Sequence, residues 1–243
     1  MQVGVRRSIC FVLMLGVSAL CSDLASATPH ANNSFPKPEV DQPVANAKGQ
    51  EVAVLSGGCF WGIQAIYQHM RGVVSATSGY SGGNAETAHY EMVGNGNTGH
   101  AESVRVVYDP RQITYGQILM IFFAVGHNPT EMDKQGPDWG TQYRSAVFYA
   151  NEDQKRIATA YIAQLEKAKV YPQKIVTQVV PLTGFYPAES YHQDYVRHHP
   201  DNPYIVINDL PKLSRFKKQF PGFLQGKLTT LLNARLVASR GAP

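Results

Sequence analysis

The residue best placed to do chemistry in this chain is Cys59. It stands in the run Ser56-Gly57-Gly58-Cys59-Phe60-Trp61-Gly62, where a short apolar strand gives way to a helix. Paired glycines at such a junction let the backbone turn sharply and approach a ligand closely. A thiol in the first turn of the helix meets free backbone N–H groups and the positive end of the helix dipole, which favour thiolate over thiol. Phe60 and Trp61 follow at once. Neighbouring helical residues point about 100° apart, so the two rings cannot both face one core, and at least one lines a surface or a pocket. The plainer alternative is a capped helix with an inert buried cysteine and two core aromatics.

Glu102 is the second candidate. In an extended strand Glu102, Val104 and Val106 share one face, and Ser103 and Arg105 share the other. A carboxyl on an apolar face loses hydration, its pKa rises, and it stays protonated, which suits a general acid at neutral pH. The alternative is an edge glutamate that reaches solvent or pairs with a base. With 13 tyrosines in the chain, no single one stands out by type alone. Two patterns mislead. Gly94-Asn95-Gly96-Asn97-Thr98-Gly99 fits G-x-G-x-x-G, but a polar turn precedes a strand there, whereas a dinucleotide site needs a strand before and a helix after. His192, His198 and His199 lack the carboxylate or cysteine that would complete a metal ligand set; they read as solvated or capping residues.

The elements that must position these groups alternate in type. Strand patterns cover Val52–Leu55, Val73–Thr77, Ser103–Tyr108, Ser145–Tyr149 and Val176–Val180. Helical patterns cover Phe60–Met70, Tyr115–Val125, Glu152–Lys169 and Ala188–His198. The turn-rich run Ser78-Gly79-Tyr80-Ser81-Gly82-Gly83 ends the second strand. Such alternation predicts an α/β sandwich, helices packed on a sheet. The chain from Pro200 reads as mostly irregular, with Leu228–Val237 either a short amphipathic helix or frayed. No internal repeat or second domain boundary is visible.

The 243 residues are 44% hydrophobic, 10% aromatic and 16% charged, enough for a real core and too apolar for intrinsic disorder. A net charge of +4, from 22 basic against 18 acidic residues, is too diffuse for a nucleic-acid face. Three cysteines exclude a disulfide scaffold and a four-cysteine zinc site. Arg6-Arg7, the uncharged stretch from Ser8 to Leu20 and the small residues Ala25-Ser26-Ala27 have the form of a secretory signal peptide. The apolar stretch is short of the roughly 20 residues of a membrane span. Leu20 is too large for a lipoprotein site at Cys21. Cleavage after Ala27 removes Cys10 and Cys21, leaving Cys59 as the one thiol in a compartment that favours disulfides. Such a leftover cysteine reads as reactive or intermolecular. The expectation is an exported, periplasmic protein, with residues 28–50, proline-rich and poor in apolar residues, as a flexible leader.

Four segments resemble one family. Gly58-Cys59-Phe60-Trp61-Gly62 is similar to the signature of the type A peptide-methionine sulfoxide reductases. Thr98-Gly99-His100-Ala101-Glu102, Asp138-Trp139-Gly140-Thr141-Gln142-Tyr143-Arg144-Ser145 and Tyr191-His192-Gln193-Asp194-Tyr195 resemble its further motifs, in the right order, over roughly Val52 to Phe223. The resemblance implies a two-layer sandwich of a mixed sheet and packed helices with a ferredoxin-like core and a long irregular C-terminal segment. The implied domain is 51–223, followed by a tail over 224–243. It implies reduction of the S epimer of methionine sulfoxide, in proteins and as the free amino acid, with no bound cofactor and no metal. Position by position, Cys59 matches the nucleophile and Glu102 the acid that protonates the sulfoxide oxygen. Phe60 and Trp61 match the wall that holds the S-methyl group. Tyr90, Tyr143 and Tyr195 match pocket hydrogen-bond donors, and Asp138 an aspartate that arranges the sulfoxide and a water. Arg144 could pair with a carboxylate structurally and is left out of the site.

One departure matters. Many relatives carry a resolving cysteine in the C-terminal segment, near Asn202-Pro203-Tyr204-Ile205-Val206-Ile207, and Ile205 holds that place here. The implied partners are oxidised proteins and an external thiol reductant, either a thioredoxin-like protein or a low-molecular-weight thiol. Nucleic acid and, after cleavage, membrane are not expected partners, and the expected state is a monomer. Two rivals remain at this level: a module that binds methionine sulfoxide without turnover, which would not need Glu102, and a cysteine hydrolase, which would need a histidine base.

Overall fold

The computed structural model describes residues 1, 35–43 and 49–225. Residues 2–27 of the expected signal peptide with Cys10 and Cys21, the rest of the leader, and the tail from 226 with Leu228–Val237 lie outside the described residues.

Strand β1 (Glu51–Gly57) leads into helix α1 (Phe60–Gln68), strand β2 (Val73–Ser81), a short helix α2 (Tyr90–Val93) and strand β3 (Ala101–Tyr108). Helix α3 (Tyr115–Ile121) continues into a π turn, Phe122–Gly126. A two-stranded hairpin, β4 (Lys134–Gln135) and β5 (Asp138–Trp139), then precedes β6 (Ser145–Tyr149), α4 (Glu152–Lys167), β7 (Gln178–Pro181) and β8 (Tyr186–Pro187). Two further helices close the described chain, α5 (Tyr195–His198) and α6 (Leu210–Gln219).

The main sheet has six strands in the order β7-β6-β1-β3-β2-β8. β1 runs antiparallel to both β3 and β6, and β2 antiparallel to β3, so β1 and β2 are parallel and α1 is their crossover. α3 crosses from β3 to β6 in the same way, which completes the expected ferredoxin-like core. Only the β6–β7 pair is parallel between neighbours, making the sheet mixed.

Side-chain alternation sorts β1 into two cores. Ala53 and Leu55 join Val104, Val106 and the apolar residues of α1, α3 and α4 in one large cluster. Val54 points the other way, to Ala101, Ala146 and Phe148. Full burial of a side chain such as Leu55 or Phe60 is worth about 1.5–3 kcal/mol. Among the described residues no helix is long and apolar enough to cross a membrane.

Four elements differ from their sequence-based expectation. β2 runs through the turn-like glycines to Ser81. Gly79 serves close packing there: a Cβ would lie 2.4 Å from both Phe185 Cζ and the Tyr186 carbonyl oxygen. The helix expected over Ala188–His198 breaks into a 3-10 turn, Ser190–His192, and short α5, because Asp194 takes a left-handed φ of 56°. What holds that break is Gln193, whose amide accepts from the Ser78 N–H and donates to the Ser78 and Ala188 carbonyls, as a strand residue would. α6 forms a ten-residue helix after Pro200, with Leu213 and Phe216 buried; the proline at its start and its many basic residues hide it from pattern reading. Residues 35–43, inside the expected flexible leader, are docked instead. The Tyr161 hydroxyl donates to the Pro36 carbonyl at 2.6 Å, and Asp41 accepts from the Gly116 N–H at 2.8 Å and from Thr114 Oγ1.

Candidate active site

The turn from β1 to α1 is shaped by two glycines that admit no substitute. Gly58 has a φ of 88°, and a Cβ there would lie 2.5 Å from Gln135 Cβ; one on Gly57 would meet the His127 ring at 2.7 Å. Cys59 follows as the N-cap of α1 rather than a first-turn residue, and its side chain makes no capping hydrogen bond. Leu55 pairs with Val104, so Glu102, two residues along β3, sits level with the end of β1. Its Oε2 accepts the Phe60 N–H at 3.1 Å. The acid thus caps the helix whose N-terminus carries the thiol.

Burial dominates the electrostatics. Glu102 is 4% exposed. Desolvation pushes its pKa up to about 8, with Asp138 and Asp209 adding repulsion and the Phe60 N–H opposing it. The acid is therefore protonated at neutral pH, as its apolar strand face predicts. Cys59 departs from expectation. Its thiol lies well above its ordinary range, because burial, with the carboxyls of Glu102 and Asp209 adding to it, outweighs the Trp61 N–H and Lys212. The helix terminus alone does not activate this sulfur; burial favours the thiol form.

Phe60 is buried against Tyr80 and His192, with centroids 5.9 and 5.1 Å away. Trp61 is half-buried and forms a wall. Tyr195 stacks on it at 3.8 Å and 8°, Tyr204 meets it edge-on at 5.8 Å, and its indole N–H donates to His192 Nδ1 at 3.2 Å. The Tyr90 ring lies 4.4 Å from His192, and Glu189 accepts the Tyr90 N–H at 2.9 Å. Desolvation first, then Glu102, raises the Tyr90 and Tyr143 phenols, which stay protonated as hydrogen-bond donors. Asp138 sits on the β4–β5 hairpin and accepts the Tyr204 hydroxyl at 2.5 Å; burial raises its pKa.

The structure brings Cys59, Phe60, Trp61, Tyr90, Glu102, Asp138 and Tyr143 to one place. Tyr195 belongs to the same wall by stacking, and its hydroxyl accepts from Asn202 Nδ2 at 3.3 Å. Arg144 donates to the carbonyls of Gly99, His100 and Thr141, a structural staple on backbone acceptors in place of a carboxylate. Sequence reasoning missed three residues. Tyr204 lies beside Asp138 and the thiol. His192, read as solvated or capping, is 3% exposed and orients Trp61. Asp209 is fully buried behind α1. The signal for the first two was present, since each adjoins a quoted motif. Two surface hollows of about 340 and 470 Å³ lie elsewhere, around Tyr171 and around Arg71, and touch none of these groups. Among the described residues no cluster of three or more His, Cys, Asp or Glu side chains is arranged for a metal ion.

The burial of Glu102 has a thermodynamic consequence. The group titrates at about 8 when folded against an ordinary value of 4.5. Between those values the folded state binds more protons. The contribution is therefore full below about pH 4.5 and is lost as pH rises through about 8, by at most about 1.4 kcal/mol per pH unit. Glu102→Gln removes this loss. Urea unfolding at about pH 5 and about pH 9 should show the variant gaining on the wild type as pH rises; a pH-independent difference would contradict the burial of an ionisable acid here.

The model of the family described as peptide methionine sulfoxide reductase matches residues 51–223. The chain is 54% identical over 188 residues to peptide methionine sulfoxide reductase MsrA 2 of Mesorhizobium japonicum, covering 77% of this chain and 96% of that one. It is 50% identical over 195 residues to the MsrA 2 of Synechocystis sp., covering 79% and 91%. Among solved structures, reduced Mxr1 from Saccharomyces cerevisiae is similar with a TM-score of 0.57 at 30% identity, over 68% of this chain and 92% of that one. Methionine sulfoxide reductase A of Corynebacterium diphtheriae gives 0.56 at 31% identity, over 69% and 83%. The chain belongs to the peptide methionine sulfoxide reductase family, and is an oxidoreductase.

Proposed function

We propose that this chain reduces the S epimer of methionine sulfoxide, in oxidised proteins and as the free amino acid, through a sulfenic acid on Cys59 that an external thiol recycles. The observation that carries the reading is the pairing, at one helix terminus, of the buried Cys59 sulfur with the buried carboxyl of Glu102, which accepts the Phe60 N–H. The wall of Phe60, Trp61 and the stacked Tyr195 receives the methyl group, while the Tyr90 and Tyr143 hydroxyls donate to the sulfoxide oxygen. Asp138, fixed by Tyr204, helps to orient that oxygen and a water.

The sulfur of Cys59 attacks the electrophilic sulfur of the substrate, forming an S–S bond, and Glu102 delivers a proton to the oxygen. The hydroxyl then passes to the Cys59 sulfur: a new S–O bond forms there as the substrate's S–O bond and the S–S bond break, methionine leaves, Cys59 is left as S–OH, and the proton of the original thiol re-protonates Glu102. One thiol and one sulfoxide thus give one sulfenic acid and one thioether. No cysteine follows Cys59 in the chain, and Ile205 is fully buried in the core. An external thiol therefore attacks the sulfenic sulfur, releasing water and forming a mixed disulfide, and a second thiol frees Cys59. A thioredoxin-like protein or a small thiol fills this role. The signal-like N-terminus supports export to the periplasm, where oxidised exported proteins are the substrates.

A peptide carrying both sulfoxide epimers, incubated with the protein and dithiothreitol, tests the reading. The S epimer should lose the mass of one oxygen and the R epimer should persist. No loss under reducing conditions would refute the enzyme and leave a binding module.

A further inference from the structure

Asp209 closes the π turn Ile205–Asp209 that leads into α6, and is fully buried. Its Oδ1 accepts Lys212 Nζ at 3.1 Å, while Oδ2 has no hydrogen-bond partner among the described residues. The carboxylate lies hard against the first turn of α1: a Cβ on Gly62 would sit 2.1 Å from Oδ1. Glycine at 62 is what admits this carboxyl group, one turn from Cys59. A lone buried carboxylate oxygen is costly and is seldom retained without a use.

We infer that Asp209 and Lys212 form a positioning pair that sets the charge felt by Cys59, Asp209 opposing ionisation of the thiol and Lys212 holding that opposition in check. The groups facing the sulfur divide accordingly. Glu102 from β3 and Asp209 oppose a thiolate, whereas the Trp61 N–H and Lys212 from α6 favour it. Tyr90, Tyr143 and Tyr204 face it as neutral phenols. Burial raises the pKa of Asp209 itself, Lys212 holds it down, and Asp138 adds to the rise there and at Glu102. His127, which also feels Lys212, is held neutral by burial. The thiolate is the form that peroxide oxidises, and oxidation beyond sulfenic acid is irreversible in general. With no later cysteine to capture the sulfenic acid as an internal disulfide, a sulfur kept as thiol between turnovers is protected.

The inference rests on Cys59 as the nucleophile, yet its test does not require sulfoxide turnover. The rate at which iodoacetamide alkylates Cys59 is followed against pH, read by mass spectrometry on the peptide that carries it. In Asp209→Asn the midpoint should fall by about one pH unit, making alkylation about tenfold faster at neutral pH. In Lys212→Met it should move the other way, and in Lys212→Arg it should stay. Shifts in the same direction for Asp209→Asn and Lys212→Met, as mere loosening of the site would produce, or unmoved midpoints, would overturn the inference. Should Asp209→Asn fail to fold, Lys212→Met against Lys212→Arg decides alone. An enzyme that alkylates as expected but reduces no sulfoxide would refute the proposed function and leave this pair standing.

Discussion

Cys59→Ser should abolish sulfoxide reduction and leave the protein as stable as before, or more so. The two side chains are nearly isosteric, but serine offers no thiolate and cannot carry the oxygen as a reducible species. Cys59 is the N-cap of α1 and makes no capping hydrogen bond. Serine is among the preferred N-cap residues, with caps worth about 0.5–2 kcal/mol, so the thermal midpoint should hold or rise while turnover disappears. Turnover above background in the purified variant would remove Cys59 from the mechanism. A collapse of stability would mean that the sulfur is a packing element first.

The second large effect is expected at Glu102. Glu102→Gln keeps an oxygen to accept the Phe60 N–H, now 3.1 Å from the carboxylate, and keeps a hydrogen-bond donor for the sulfoxide. It loses the transferable proton. The single-turnover rate at neutral pH should fall roughly 10²–10⁴-fold, with substrate binding much less affected. In the wild type the same rate should decline as pH rises past about 8, where the acid ionises, and that decline should be absent from the variant. A rate unchanged by the substitution would show that oxygen is protonated by another group.

The sandwich and the junction around Cys59 were legible because strand and helix periods and the paired glycines act locally. Glu102 was legible for the same reason: alternation along β3 placed it with Val104 and Val106 on the face that proved to be apolar. The state of the thiol was not. A helix terminus favours thiolate, but burial of the sulfur opposes it first, and the two carboxyls that add to this come from β3 and from the turn before α6, so only the folded chain brings the opposing causes together. Tyr204 and Asp209 were hidden for a related reason. Their segment lacks a clear period, and their importance lies in contacts with Asp138 and with α1 from far along the sequence. Gln193 shows the limit at the level of secondary structure, since a side chain that imitates a strand leaves no trace in hydrophobic patterning.

The most direct test of the central claim, a lone catalytic cysteine resolved from outside, is a stoichiometry. The protein cleaved after Ala27 is mixed with excess methionine sulfoxide and no reductant, and both products are analysed. The account predicts one methionine released per chain and Cys59 heavier by a single oxygen, trapped by dimedone as the sulfenic acid, with turnover restored by a small thiol. Continued turnover without any reductant, or an internal disulfide in place of the sulfenic acid, would contradict it.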